Sequence, residues 1–142
     1  MKQPKRCNCD DISENSYHKI AAIIVKEGKT LVVKKKGLDE FISLGGKHEG
    51  DESDEECLVR ESLEELNTKV FNPIFLGRFQ DRAISDNNLV ILDAYLVQTD
   101  DIPTPSNEIE DFAWVGKTYD IKIASIIKRF VIPELNKKGL LQ

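Results

Sequence analysis

The sequence contains little of several features that mark particular classes of protein. Its three cysteines are an odd number, so a complete disulfide framework within the chain is excluded. No apolar run approaches the roughly 20 residues that a membrane-spanning helix needs, and residues 1–14 lack the apolar segment of a secretory signal. Positive charge is also in deficit, and the net charge of −5 argues against a binder of nucleic-acid polymers. We therefore expect a cytoplasmic protein that binds neither a membrane nor a nucleic acid.

The length and composition of the chain are typical of one globular domain. Residues 1–16 are polar and are predicted to form a flexible tail. Cys7 and Cys9 lie in this tail without the further ligands that a metal site requires. Residues 17–142 contain no linker and no repeat, so they are predicted to form a single domain.

Apolar spacing predicts the secondary structure of this domain. Short apolar, β-branched segments indicate strands at residues 20–25, 31–33, 41–44, 70–79, 89–97 and 112–115. Glu27 and Gly28 join the first two strands as a hairpin. Helical spacing indicates helices at 54–66 and 119–136, and Pro133 is expected to end or kink the second one early. This order of elements predicts an α/β (α+β) fold, a sandwich with a mixed sheet between helices.

The first predicted helix belongs to an acidic segment, with nine carboxylates between Glu49 and Glu65. Ser53 and Glu56 form a capping box, which places the helix start near Asp54. Acidic residues in the first turn are favoured by the helix dipole, so their presence there needs no other explanation. On the opposite side, Val59, Leu63 and Leu66 are predicted to form the buried stripe.

Glutamates at the end of this helix are harder to explain by stability alone. Glu61, Glu64 and Glu65 are three or four residues apart, where like charges repel, and they lie at the helix end that disfavours acids. A divalent cation such as Mg²⁺ would turn that repulsion into coordination. Arg60 is placed to hold one carboxylate through a two-pronged hydrogen bond, although an ordinary surface ion pair would also explain it.

The segment from Gly45 to Val70 resembles the Nudix box, a motif of a glycine, five residues, a glutamate, seven residues and then Arg-Glu-apolar-x-Glu-Glu-x-Gly-apolar. Its anchor positions are occupied here by Gly46, Glu52, Arg60, Glu61, Glu64 and Glu65. The sequence departs from the motif at Ser62, Asn67 and Thr68. Asn67 is conservative in physical terms, because asparagine tolerates the left-handed conformation of a helix C-cap nearly as well as glycine.

The resemblance implies a Nudix-type hydrolase of nucleoside diphosphates linked to another group, dependent on Mg²⁺ or Mn²⁺. Carried over by position, the metal ligands are Glu61, Glu64, Glu65 and the Gly45 carbonyl, with Glu108 added from a distant loop and Glu110 as the second choice for that place. Arg60 would orient Glu61. Either Glu52 or Glu64 would be the general base, and the resemblance does not choose between them.

Residues outside the motif are candidates for substrate binding. Trp114 is predicted either to stack on a base or to belong to the core. Three consecutive lysines, Lys34 to Lys36, could either reach phosphate oxygens or form a solvated strand end. Of the three, Lys34 and Lys36 are predicted to bind the substrate. Arg82 and, with less specificity, Arg78 are further candidates.

The substrate is narrowed by elimination. Within the family, a downstream proline is typical of ADP-ribose hydrolases and a tyrosine of dinucleoside polyphosphate hydrolases, and residues 80–88 contain neither. This favours a pyrophosphohydrolase of nucleoside triphosphates. A nucleotide sugar, ADP-ribose or a dinucleotide remains an alternative substrate, and a non-catalytic nucleotide-binding module is the alternative from another class. The resemblance also allows a homodimer, as in many relatives.

Overall fold

A computed structural model describes residues 16–82 and 87–142 of the chain. The tail predicted for residues 1–16, with Cys7 and Cys9, lies outside the described residues except for Ser16, which begins a strand. Within the described part of the chain, no helix is long and apolar enough to cross a membrane.

Strands and helices follow one another in the predicted order. Their bounds are β1 Ser16–Lys26, β2 Lys29–Lys35, β3 Leu44–Gly46, α1 Asp54–Leu66, β4 Phe71–Arg82, β5 Leu89–Gln98, β6 Ile109–Val115 and α2 Ile132–Lys137, with a π-helical turn Ile127–Val131 before α2. The described strands form one sheet in the order β4-β5-β1-β2-β6, with β3 paired to β1 beside this path. β1 and β5 run parallel, and the other pairs are antiparallel. The predicted mixed sheet is confirmed.

The sheet separates two apolar cores, because side chains of a strand point alternately to its two faces. On β1, Ile20, Ala22 and Ile24 face the core under α1. Ala21 and Ile23 face the core under the C-terminal helix. Helices therefore cover both faces of the sheet, and the predicted sandwich is confirmed.

The caps of α1 were predicted correctly, and its buried face only in part, since Leu66 is buried and Val59 partly buried as predicted while Leu63 is not. Ser53 and Glu56 form the capping box, and Asn67 ends the helix in the left-handed region at φ 51°. The buried residues of the helix are Cys57, Leu58, Ser62, Glu65 and Leu66. Leu63 is exposed, because the inward stripe passes through Leu58, Ser62 and Leu66 instead. Ser62 therefore occupies an apolar position, and its buried hydroxyl has no hydrogen-bond partner among the described residues.

Most strands extend beyond their predicted ends in the structure, and two predicted elements begin several residues later than predicted. Phe41 and Ile42 make isolated bridges to Ile123 and Val33, and the strand itself begins only at Leu44. The C-terminal helix starts near residue 125 rather than at 119, and Pro133 does not end it. The π-helical turn before α2 widens the backbone where the proline ring would collide with the preceding turn, so the helix continues.

Candidate functional site

A cavity of about 710 Å³ opens at the end of the sheet where β1 begins. The pairing between β1 and β2 is confined to the turn, at Val25 and Lys26, so the two strands separate toward their other ends. The short strand β3 lies beside β1 in that gap. Side chains of the sheet, of α1 and of the C-terminal helix all line the resulting cavity, which has the size of a small-molecule site.

Two glycines of β3 allow the acidic end of α1 to approach the sheet. Gly45 has φ 132°, and a side chain there would overlap the backbone oxygen of Ile20. A side chain on Gly46 would overlap the carboxylate of Glu61. Position 45 therefore requires glycine, whereas a side chain at Gly46 would have to displace the Glu61 carboxylate, which fills that space.

Glu65 is the buried carboxylate of the cavity, with a relative exposure of 7%. Its Oε1 accepts a hydrogen bond of 3.2 Å from the Gly45 amide. Burial raises the pKa of Glu65 from 4.5 to about 6, and the positive charge of Lys19 opposes that rise. Lys19 donates to the Ser43 carbonyl at 2.7 Å, and burial lowers its pKa to about 8. The cavity therefore holds a carboxylate whose charge is costly unless a cation lies nearby.

Arg60 gathers four glutamates around one guanidinium, with Glu49 at 3.4 Å and three others at shorter distances. Its Nε and Nη2 bind the two oxygens of Glu52 at 2.5 and 2.9 Å. Its Nη1 donates to Glu61 at 2.9 Å and to Glu64 at 3.2 Å. The repulsion expected between Glu61 and Glu64 is therefore offset within the chain, which the spacing argument did not include.

This network gives Glu52 and Glu64 different chemical properties. The hydrogen bonds from Arg60, and then the one from the Glu49 amide, lower the pKa of Glu52 to about 2. Glu52 is thus a weak base, and it does not line the cavity. The side chain of Glu64 is 45% exposed and does line it. Of the two candidate bases, Glu64 has the better position.

Comparison with known proteins identifies the family. The sequence profile described as NUDIX domain matches residues 16–118, most of the chain. The chain belongs to the Nudix family. The predicted family and the predicted class of enzyme, a Nudix pyrophosphohydrolase, are both confirmed.

Solved Nudix structures share this fold. A MutT Nudix hydrolase from Burkholderia pseudomallei has a TM-score of 0.73 at 19% identity, over 84% of this chain and 98% of its own. The MutT protein from Methanosarcina mazei Go1 has a TM-score of 0.74 at 18% identity, over 89% and 98% of the two chains. The ORF135 protein of E. coli has a TM-score of 0.62 at 25% identity, over 87% and 89%. No curated protein matches the chain.

The donor atoms of this Nudix site fit Mg²⁺, which prefers hard oxygen ligands. Glu61, Glu64 and Glu65 line the same cavity as Gly45, and the glycine at position 46 leaves room for the Glu61 carboxylate. Among residues 16–82 and 87–142, however, no group of three or more acidic, histidine or cysteine side chains is already placed to hold a metal ion. Arg60 holds Glu61 and Glu64, while Glu65 turns to the Gly45 amide. Carboxylates must therefore shift from these partners to bind an ion.

Glu108, predicted to bind metal, and Arg82, predicted to bind substrate, both line the cavity. This position is the one that their predicted roles require. Glu110, the second choice for the distant ligand, instead binds Lys34 at 2.6 Å. Neither Glu110 nor Lys34 is part of the cavity wall.

Three more of the predicted substrate-binding residues lie elsewhere. Lys36 is not part of the cavity wall, and Arg78 binds Asp93 through two hydrogen bonds of 2.7 and 2.8 Å. Trp114 is partly buried and packs against the core under α1, so of its two predicted roles the structure shows the core one.

Several residues of the cavity were missed from the sequence. Lys35 lines it in place of the selected Lys34 and Lys36, because successive side chains of a strand point to opposite faces and Lys35 shares the face of Leu31 and Val33. Lys19 was missed because a lysine at the start of an apolar strand looks like an ordinary strand end. Asp81 and Ser125 were missed because they meet only through tertiary contact, at positions 44 residues apart in sequence.

Proposed function

We propose that this protein is a Mg²⁺-dependent Nudix hydrolase that converts a nucleoside triphosphate to a nucleoside monophosphate and pyrophosphate. The observation that carries the proposal is one cavity with both signs of charge. Glu61, Glu64, Glu65 and Glu108 line it together with Lys19 and Lys35. Carboxylates alone would repel a polyphosphate, whereas carboxylates that hold Mg²⁺, beside two lysines, would bind one.

Each residue has a role that follows from its contacts. Glu61, Glu64 and Glu65, with the Gly45 carbonyl and Glu108, would hold Mg²⁺. Bound Mg²⁺ lowers the pKa of water and stabilises charge on the leaving phosphate. Lys35 and Lys19 would bind phosphate oxygens.

The protein groups around these ligands set their orientation and basicity. Arg60 fixes Glu61 at 2.9 Å and is itself anchored by both oxygens of Glu52. Glu64, exposed to the cavity and held by one longer hydrogen bond of 3.2 Å, would accept the proton of the attacking water. The bond that breaks is a phosphoanhydride P–O bond, and the water oxygen completes the phosphate on one product.

A nucleotide-sugar substrate is the second candidate. The structure titled UDP-X diphosphatase has a TM-score of 0.69 over 95% of this chain, with 69% of its own chain covered, at 19% identity. That likeness concerns the fold, so the substrate must be decided by assay.

The test is phosphate release from a panel of nucleoside triphosphates, nucleotide sugars, ADP-ribose and dinucleotides. Reactions with nucleoside triphosphates contain added inorganic pyrophosphatase, so that pyrophosphate is detected. The other reactions contain added phosphatase, so that monophosphate products are detected. Each reaction is run with and without Mg²⁺. We expect turnover of triphosphates that requires Mg²⁺. Turnover of nucleotide sugars alone would support the second candidate, and silence on the whole panel would support a non-catalytic module.

A pair of matched variants tests the site. Glu64→Gln keeps the shape of the side chain and removes its charge and basicity, and we expect turnover to fall at least about 100-fold. Glu55→Gln makes the same change in the first turn of α1, where Glu55 is exposed and outside the cavity, and should leave turnover unchanged. Equal activity of the two variants would contradict the assignment of Glu64.

A further inference from the structure

The end of the cavity away from α1 is formed by polar side chains that the proposed chemistry does not use. Asp81 pairs with Val90 on β5, and Val90 pairs with Tyr17 on β1, so these residues form a row across three strands. β3, with Gly46, lies on the other side of β1. Three strand spacings separate β4 from β3, a distance of about 14 Å. A nucleotide whose phosphates lie at the glutamates would extend its base over a comparable distance, toward Asp81.

Asp81 is held firmly at this end. Its Oδ2 accepts from the Ser125 hydroxyl at 2.6 Å. Its Oδ1 accepts from Arg129 at 2.9 Å and from the Arg82 amide at 2.8 Å. The side chain is only 9% exposed, and it lines the cavity. A carboxylate fixed by three donors cannot turn away from a ligand without losing them.

The same contacts determine what the carboxylate can still bind. A carboxylate has about four acceptor positions, and contacts with described residues use three of them, two on Oδ1 and one on Oδ2. The position left is on Oδ2, the oxygen beside Ser125. Because Ser125 donates its only hydroxyl hydrogen to Asp81, its oxygen also meets a ligand as an acceptor. Asp81 and Ser125, both in the cavity wall, thus present two adjacent acceptors and no donor.

We propose that Asp81, with Ser125, selects nucleotides whose base presents an amino group and rejects those with a carbonyl at the same position. An amino group donates to the two acceptors, whereas a carbonyl would face them without a hydrogen bond and leave the remaining acceptor position of the desolvated carboxylate without a donor. Such a mismatch costs roughly 10- to 100-fold in binding. Asp81 is on this view a specificity-determining residue, and the inference rests on the proposed function of the cavity.

Pairs of nucleotides that differ by one amino group test the inference in the wild-type protein. The pairs are CTP with UTP, ATP with ITP and GTP with XTP, and in each pair an amino group is exchanged for a carbonyl at the same position. In the pair that contains the best substrate, kcat/KM should be at least about 10-fold higher for the amino-bearing nucleotide. Equal values, or a preference for the carbonyl partner, in all three pairs would overturn the inference.

Asp81→Asn gives the second test, since an amide can present donors as well as an acceptor. The ratio of kcat/KM within that pair should fall at least about five-fold in the variant. Asp111→Asn is the matched control, because Asp111 also accepts the amide of its neighbouring residue at 2.8 Å but lies outside the cavity wall. The same fall in both variants would contradict a role for Asp81 in selection.

A purely structural role for Asp81 gives a different result. Arg129→Gln removes one tether and leaves the carboxylate, so it should lower the melting temperature and preserve the ratio within the pair. A ratio that follows stability across Asp81→Asn, Arg129→Gln and Ser125→Ala would show that Asp81 only ties β4 to the C-terminal helix. Absence of hydrolysis with every nucleotide is a separate outcome, and it would refute the proposed function instead.

Discussion

Replacement of Glu65 by glutamine should make the protein more stable and inactive. Burial raises the pKa of this carboxyl from 4.5 to about 6, so ionising it in the folded protein is unfavourable. At 1.36 kcal/mol per pKa unit, that interval corresponds to about 2 kcal/mol. Glutamine carries no charge and still offers an oxygen to the Gly45 amide, so Glu65→Gln should gain about this amount at pH 7.

The gain has a definite dependence on pH. Between pH 4.5 and about 6, the folded wild-type protein binds the Glu65 proton more tightly than the unfolded chain does. The free energy of unfolding of the wild type therefore decreases as the pH rises through this window. The difference between variant and wild type should be near zero at pH 4, grow up to about pH 6 and stay constant at pH 7.

Urea unfolding followed by the fluorescence of the single tryptophan, Trp114, measures this difference. At pH 7 the midpoint of the variant should lie about 1 M urea higher than that of the wild type. Added Mg²⁺ should raise the midpoint of the wild type and have less effect on the variant, because the variant lacks a ligand. Glu55→Gln, on the exposed first turn, is the control and should show neither effect.

The result that refutes this reasoning is specific. If Glu65→Gln is less stable than the wild type at pH 7, or if the difference does not change between pH 4 and pH 7, the ionised carboxylate is not a source of instability. It would then be wrong that the Glu65 carboxylate destabilises the fold and is present because it binds a cation.

Further predictions concern residues at and around the same helix and sheet. Ser62→Ala should leave the melting temperature unchanged or raise it, since the buried hydroxyl has no hydrogen-bond partner among the described residues. Asn67→Ala should cost about 1 kcal/mol in chemical denaturation, and Asn67→Gly close to nothing, because the residue has φ 51°. Gly46→Ala should abolish turnover in the phosphate-release assay with a folded circular-dichroism spectrum, because the methyl group displaces the Glu61 carboxylate. Burial raises the pKa of Asp93, but hydrogen bonds from Arg78 and His18 outweigh burial and hold that pKa below its ordinary value of 3.8. The stability that Asp93 contributes should therefore be present above about pH 4 and be lost below it, and Asp93→Asn should flatten the acid limb of a melting-temperature profile.

Local sequence signals determined the parts of the structure that were predicted well. The capping box at Ser53 and the left-handed cap at Asn67 depend on neighbouring residues, so the bounds of α1 were correct. The hairpin turn was also correct, because Glu27 and Gly28 both have positive φ, at 52° and 80°. The Nudix box could be recognised for the same reason, since its chemistry is carried by one continuous segment.

Features set by tertiary contact were predicted less well. Leu63 fits the spacing of a buried stripe, but the sheet meets α1 along the line of Leu58 and Leu66. Trp114 and Lys34 have the chemistry of substrate-binding residues, and only the course of β2 and β6 shows that they lie outside the cavity. The role of Asp81 depends on Ser125 and Arg129, which no local pattern connects to it.

The lysines at the end of β2 have a consequence for how the chain tolerates change. Three lysines follow one another there, Lys34 to Lys36, and Lys35 is the one that turns into the cavity. If an insertion or deletion in the following loop moved the strand by one residue, another lysine would take its place. The cavity would thus keep a positive charge beside the glutamates after such a shift. The two glycines of β3 could not be replaced in this way, because a side chain at either position would overlap neighbouring atoms.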